Sequence, residues 1–234
     1  MGVLLGTLLE ILRVLASAPS ASEEAGPYID APTSSDVSDD AIVGPPALIE
    51  DCEARLDAAG IVYSPSAIPV HENRSGLVCG AEQVVRVRTG PEGISWRGRP
   101  KVTCPVALAM GRMEAIVQEE AMRHLGRRVV RIEHLGTYNC REMAAYPGWV
   151  SEHSYANAID VKAFVLQGGR RVSVLDHWTG DEPNARFLRE VARRLYDENV
   201  FSVVLTPAFD RAHRNHFHLD FARYRVDGTA RFGP

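Results

Sequence analysis

The chain of 234 residues is poor in several things that would each announce a function. It has four cysteines and no C-x-x-C pair, which argues against a four-thiolate zinc site. No apolar run reaches the roughly 20 residues of a membrane-spanning helix, so no integral span is expected. Lysine is nearly missing, at 2 against 24 arginines. Basic residues are also scarce at the front: residues 1–54 hold ten acids and only Arg13. The overall charge of −4 therefore conceals a remainder, residues 55–234, that is mildly basic. Such a domain suits an anionic polymer such as nucleic acid or cell wall, and charge alone selects neither.

What is present begins with a signal-like start. Residues 3–18, VLLGTLLEILRVLASA, end in Ala16-Ser17-Ala18, like a secretory apolar region with a small-residue cleavage site. Against this stand the uncharged leading residues, Glu10 and Arg13 within the run, and Pro19 just after the cleavage position. A short amphipathic helix is the competing reading. Residues 19–47, rich in Ser, Ala, Pro, Asp and Glu without hydrophobic period, read as an acidic linker outside the fold. The even count of spread cysteines (Cys52, Cys79, Cys104 and Cys140) fits two disulfides in an oxidising compartment, in any of three pairings. Four buried thiols in a cytosolic protein are the alternative. An exported protein, periplasmic or extracellular, is the expectation.

The domain is expected over residues 48–234. Ile49, Cys52 and Leu56 share a helical face over 48–59, with Gly60 as the cap. VVRVRT (84–89) alternates like a half-buried strand. Pro105 suits the first turn of a helix running to about Leu125. Residues 129–140, 158–166, 171–176, 201–206 and 216–223 read as strands, and 183–198 as an amphipathic helix. The order predicts an α+β fold, with helices first and then a small antiparallel sheet flanked by helices.

Three of the eight histidines, His213, His216 and His218, fall close together. Period two puts His216, His218 and Asp220 on one strand face. Upstream, SEHSYANAID sets His153 seven residues before Asp160. Two ligands from a loop-strand segment and one from a distant strand can close a three-ligand site for Zn²⁺ with water in the fourth position. The competing reading is a surface histidine cluster beside a structural His153.

These residues carry a resemblance. H-x6-D followed by H-x-H is similar to the group that joins lysostaphin-type peptidases, D-Ala-D-Ala metallopeptidases and the hedgehog signalling domain. The stretch GTYNCR…SEHSYANAIDVKAF…FLREV…HRNHFHLD resembles more closely the bacterial extensin-like C-terminal domain family, over roughly residues 48–225. The resemblance implies a small antiparallel sheet carrying one zinc, with His153, Asp160 and His218 as ligands. It implies His216 as the active-site histidine, His213 as a further one of an HxxHxH pattern, and Arg141, on a preceding strand, facing substrate or oxyanion. The implied substrate is peptidoglycan peptide, with no nucleic acid partner. Asn215 stands where the D,D-peptidase relatives carry a glutamate, which disfavours a glutamate base. The cysteines many members carry near Tyr196 and Tyr224 are missing, so the resemblance leaves Cys140 without its expected partner.

The resulting expectation is a zinc metallopeptidase, with a non-catalytic zinc-stabilised wall-binding module and a metal-free disulfide-bonded module as competitors. Arg141 could instead pair with Glu142 or Glu133. Glu152 could orient His153 or merely cap its segment, and Asp220 reads as a surface acid rather than a partner of His218. His71, His124, His134 and His177 read as structural, and Trp96, Trp149 and Trp178 as core or rim aromatics.

Overall fold

A long hairpin opens the domain, and two prolines hide it in the sequence. The computed structural model describes residues 44–223 apart from Ala145 and Pro147, so the signal-like segment 1–18 and most of the acidic linker 19–47 lie outside the described residues. After helix α1 (Cys52–Ala58), strand β1 (Val62–Glu72) pairs antiparallel with β2 (Val78–Thr89). Pro65 and Pro69 break the usual strand signature of β1. They are tolerated because β1 is the terminal strand of the sheet, where one row of donors has no neighbour to serve.

Short strands β3 (Ser95–Trp96) and β4 (Lys101–Thr103) lead into helix α2 (Cys104–Leu125). Pro105 sits in its first turn, where the missing N–H costs nothing. Gly126 ends it in the left-handed conformation at φ 63°, its N–H reaching Met122 O. Val106, Met110, Met113, Val117 and Ala121 form the buried stripe that faces the sheet. Strand β5 (Val129–His134) follows, then β6 (Ala158–Leu166) and β7 (Arg171–Ser173). Helices α3 (Val174–His177) and α4 (Pro183–Asp197), then β8 (Val203–Leu205) and β9 (Phe217–Asp220), complete the fold. Phe187, Leu188, Val191 and Leu195 of α4 join the α2 stripe in one core.

The α+β class is as expected, but the sheet is neither small nor wholly antiparallel. Among the described residues, nine strands run in the order β1-β2-β3-β5-β6-β9-β8, with β4 beside β2 and β7 beside β6. β3 and β5 pair in parallel, and the β1–β2 hairpin precedes the long helix. Four of the expected strands are shorter than their sequence runs: 201–206 narrows to Val203–Leu205 and 216–223 to Phe217–Asp220, and two others end early for visible reasons. The run 171–176 turns helical after Ser173, whose hydroxyl accepts from the N–H of Asp176 and so caps α3. The run 129–140 stops at His134. Leu135 and Gly136 still exchange backbone bonds with Asp160 before the chain swings away.

All four cysteines are paired, Cys52 with Cys104 and Cys79 with Cys140. Cys140 thus finds its partner in β2, and the bridge ties the 135–151 loop to the hairpin at a point within the loop. No helix among the described residues is long and apolar enough to cross a membrane.

Candidate metal centre

Strand register builds most of the site. Ile159 and Val161 of β6 point into the core, so Asp160 between them faces the other side of the sheet. Phe217 and Leu219 do the same on β9 and turn His218 and Asp220 outward. Asp160 and His218 are direct cross-strand partners. His153 arrives from a 3₁₀ turn, Glu152–Tyr155, capped by the Ser151 hydroxyl and closed by Ala156 at φ 54°. The Ser154 hydroxyl beside it donates toward the carbonyls of Asn139 and Arg141, so the turn is pinned to the preceding loop.

Three atoms meet as a result. His153 Nε2 lies 3.1 Å from Asp160 Oδ1 and 3.1 Å from His218 Nδ1, and the last two are 3.0 Å apart. The outer ring nitrogens explain why these atoms carry lone pairs. His153 Nδ1–H donates to the carbonyl of Thr137 at 3.3 Å, and His218 Nε2–H donates to Asp220 Oδ2 at 2.8 Å. Each ring is thereby set with its unprotonated nitrogen inward. Two imidazole lone pairs and a carboxylate oxygen at mutual contact repel one another unless a positive charge sits among them. The set fits one cation such as Zn²⁺, whose bonds to such donors are about 2.0–2.2 Å long. Nitrogen and carboxylate donors held from behind by a carbonyl and a carboxylate are also what such ligands need.

Electrostatics tell the same story. Burial raises the cost of charge on Asp160, but hydrogen bonds and charge from His153 and His218 hold its carboxyl far below the usual carboxylate range. Burial would lower the His218 pKa; Asp160 and Asp220 outweigh it and push the ring up to about 10. Without a metal, a proton on His218 supplies the positive charge the cluster demands.

His216 and His213 stand beside this cluster. His216 Nδ1 bonds Asn215 Oδ1 at 2.8 Å, and its Nε2 lies 3.5 Å from Asp160 Oδ1. Burial first, then the neighbouring histidines, bring its pKa down to about 4 against the pull of Asp160, so the ring is neutral at ordinary pH. The His213 ring is 5.3 Å from that of His216 and 5.8 Å from that of His218, centroid to centroid. Its Nδ1 bonds Asp210 Oδ1 at 2.7 Å, and Phe209 meets it edge-on. Burial lowers its pKa, opposed by Asp210.

Other expected roles change. Asp220 is buried and holds His218, so it is not a surface acid. Arg141 lies in the 135–151 loop and not on a strand, and its guanidinium donates to the Glu142 carbonyl. Glu133 pairs with Arg97 and Arg171 instead. Glu152 neither orients nor caps His153. Its carboxylate accepts from Arg223 at 3.0 and 3.1 Å and from Asn157 at 2.8 Å. Trp96 is a core residue bonded to Glu114, and Trp178 packs on Phe217. Two contributors escaped the sequence reading. Asp210-x-x-His213 has readable capping spacing, whereas the Thr137 carbonyl leaves no side-chain signal.

The family described as extensin-like protein C-terminus matches residues 50–231, which include every residue of this site. The chain belongs to that family. No curated protein and no solved structure matches it. Within this extensin-like domain, His153, Asp160 and His218 are, among the described residues, the group whose geometry could hold a metal ion.

Proposed function

We propose that this extensin-like domain is a zinc-dependent hydrolase of peptide bonds in peptidoglycan cross-links or stem peptides, acting outside the cytoplasm. The observation that carries the reading is the triangle of inward donor atoms on His153, Asp160 and His218. Two paired disulfides support an oxidising compartment. The similarity of the H-x6-D and H-x-H motifs to lysostaphin-type and D-Ala-D-Ala metallopeptidases supports the substrate class.

When bound, Zn²⁺ supplies Lewis acidity at the scissile carbonyl and a lowered pKa for the attacking water. The chain's own residues do the rest. Asp220 and the Thr137 carbonyl keep the ligand rings in register. His216, neutral and with Nδ1 engaged by Asn215, offers Nε2 to take a proton from the water and return it to the leaving amine. His213, held by Asp210, is the next proton carrier. Arg141 stabilises the oxyanion after leaving the Glu142 carbonyl; its backbone is already tied to Ser154, next to His153.

The test is digestion of purified sacculi by zinc-loaded protein, with products sequenced by mass spectrometry. New amino and carboxyl termini within stem peptides or cross-links, lost on chelation, are expected. Intact sacculi together with retained wall binding would replace the hydrolase with a zinc-stabilised binding module.

A further inference from the structure

The two faces of the sheet differ in charge. On the helix side, several basic residues are matched by acids: Arg189 pairs with Asp181, Arg193 with Glu190 and Asp197, and Arg194 with Glu119, Glu120 and Glu198. The opposite face carries the metal centre, and away from that centre its charges are mostly positive. Val85, Val102, Trp96, Ile132 and Val172 are core residues, which turns Arg86, Lys101, Arg97, Arg131 and Arg171 outward. Arg86 and Lys101 are register partners across β2 and β4. Lys162 lies on β6 beside Asp160, and both charges act on His134. Away from the metal centre, one acid stands among these six: Glu133, clamped between Arg97 and Arg171. Arg86, Lys101, Arg131 and Lys162 enter no ion pair among the described residues.

We infer that this face is a trough for an acidic peptide strand, which lies across β2, β3, β5 and β6 with its carboxylates on the unpaired cations. The inference deepens the hydrolase reading by requiring a substrate that carries free carboxylates on the part of the strand that runs from the metal centre toward β2. Strands stand about 4.8 Å apart, so the cations from β2 to β7 span on the order of 20 Å. An extended peptide covers that in about six residues. Guanidinium groups suit carboxylates, and within the fold Glu133 already accepts one hydrogen bond from each of Arg97 and Arg171. Single-stranded nucleic acid is the less suitable anion. It is held on basic grooves with interleaved aromatic platforms, and the outward positions of β3, β4, β5 and β7 hold no aromatic ring.

The test is fluorescence anisotropy with labelled poly-L-glutamate on the full chain, compared with oligothymidylate of equal charge. Wild type binds poly-L-glutamate more tightly than oligothymidylate, and added salt weakens it. Arg86→Glu with Arg131→Glu lowers affinity about tenfold or more, while the helix-side pair Arg112→Glu and Arg186→Glu leaves it unchanged. Equal loss in the helix-side pair would reduce the effect to net charge and overturn the inference. So would preference for oligothymidylate, or no loss in the sheet-face pair. The assay needs no hydrolysis, so failure here leaves the cleavage reading standing, and failure of sacculus digestion leaves this result readable.

Discussion

Asp220 Oδ2 accepts the Nε2–H of His218 at 2.8 Å, and so turns the Nδ1 lone pair of His218 toward Asp160. A residue that coordinates nothing thus decides which nitrogen is available. Asp220→Ala should keep the three donors and release the ring to either tautomer. Metal affinity should fall about 10–100-fold, read by competition against a chromophoric chelator. Unchanged affinity would show that β9 alone orients His218.

His216 offers a neutral Nε2 beside the cluster without belonging to the donor triangle. His216→Ala should retain metal and fold yet lose roughly 10²–10⁴ in hydrolysis rate. Loss of metal in this variant would make His216 a ligand. Full activity would pass its role to His213.

Glu114 tests the core away from the site. Its buried carboxyl accepts from Gly90 N, Glu92 N and Trp96 Nε1. Burial pushes its pKa up to about 7, against the pull of Trp96 and the backbone N–H groups. A raised carboxyl binds its proton more tightly in the folded state. Its contribution is full below the unfolded value near 4.5 and is lost as pH rises to about 7. Comparing urea unfolding of wild type and Glu114→Gln should show a wild-type decline across that window, on the order of 3 kcal/mol, that the variant lacks. Parallel pH profiles would place the carboxyl at its ordinary value.

The Cys79–Cys140 bridge closes a separation of 61 residues between β2 and the loop leading to His153. Changing both cysteines to serine should cost about 2–4 kcal/mol of stability, and thiol titration of denatured, unreduced wild type should find no free thiol. Four reactive thiols in protein from an oxidising compartment would remove both bridges from the account.

The parts of this fold that read well were those where local chemistry and tertiary context agree. α2 carried Pro105 and Gly126 at its ends and an apolar stripe between, and its limits shifted by one residue. β6 matched its expected limits, and motif spacing made Asp160 a candidate ligand together with the H-x-H strand, while only the family resemblance singled out His218 within that strand. β1 was invisible because Pro65 and Pro69 deny it a strand signature that only its edge position excuses. The tail of the 171–176 run looked extended until Ser173 capped a helix. Asp220 was misjudged because sequence gives its face and not its burial. Residues 135–140 read as the end of a strand and 141–151 had no period, so neither the placement of Arg141 in a loop nor the Thr137 carbonyl behind His153 could be foreseen.

The central claim is that His153, Asp160 and His218 hold one metal ion. X-ray absorption at the zinc edge, on protein loaded with one equivalent, tests it most directly. The account predicts nitrogen and oxygen neighbours at about 2.0–2.2 Å, imidazole scattering from two rings, and no sulfur. His153→Ala, Asp160→Ala and His218→Ala should each lose the bound zinc, whereas a double change at His124 and His134 should keep it. Zinc that binds with an unaltered spectrum in all three single variants would contradict the account.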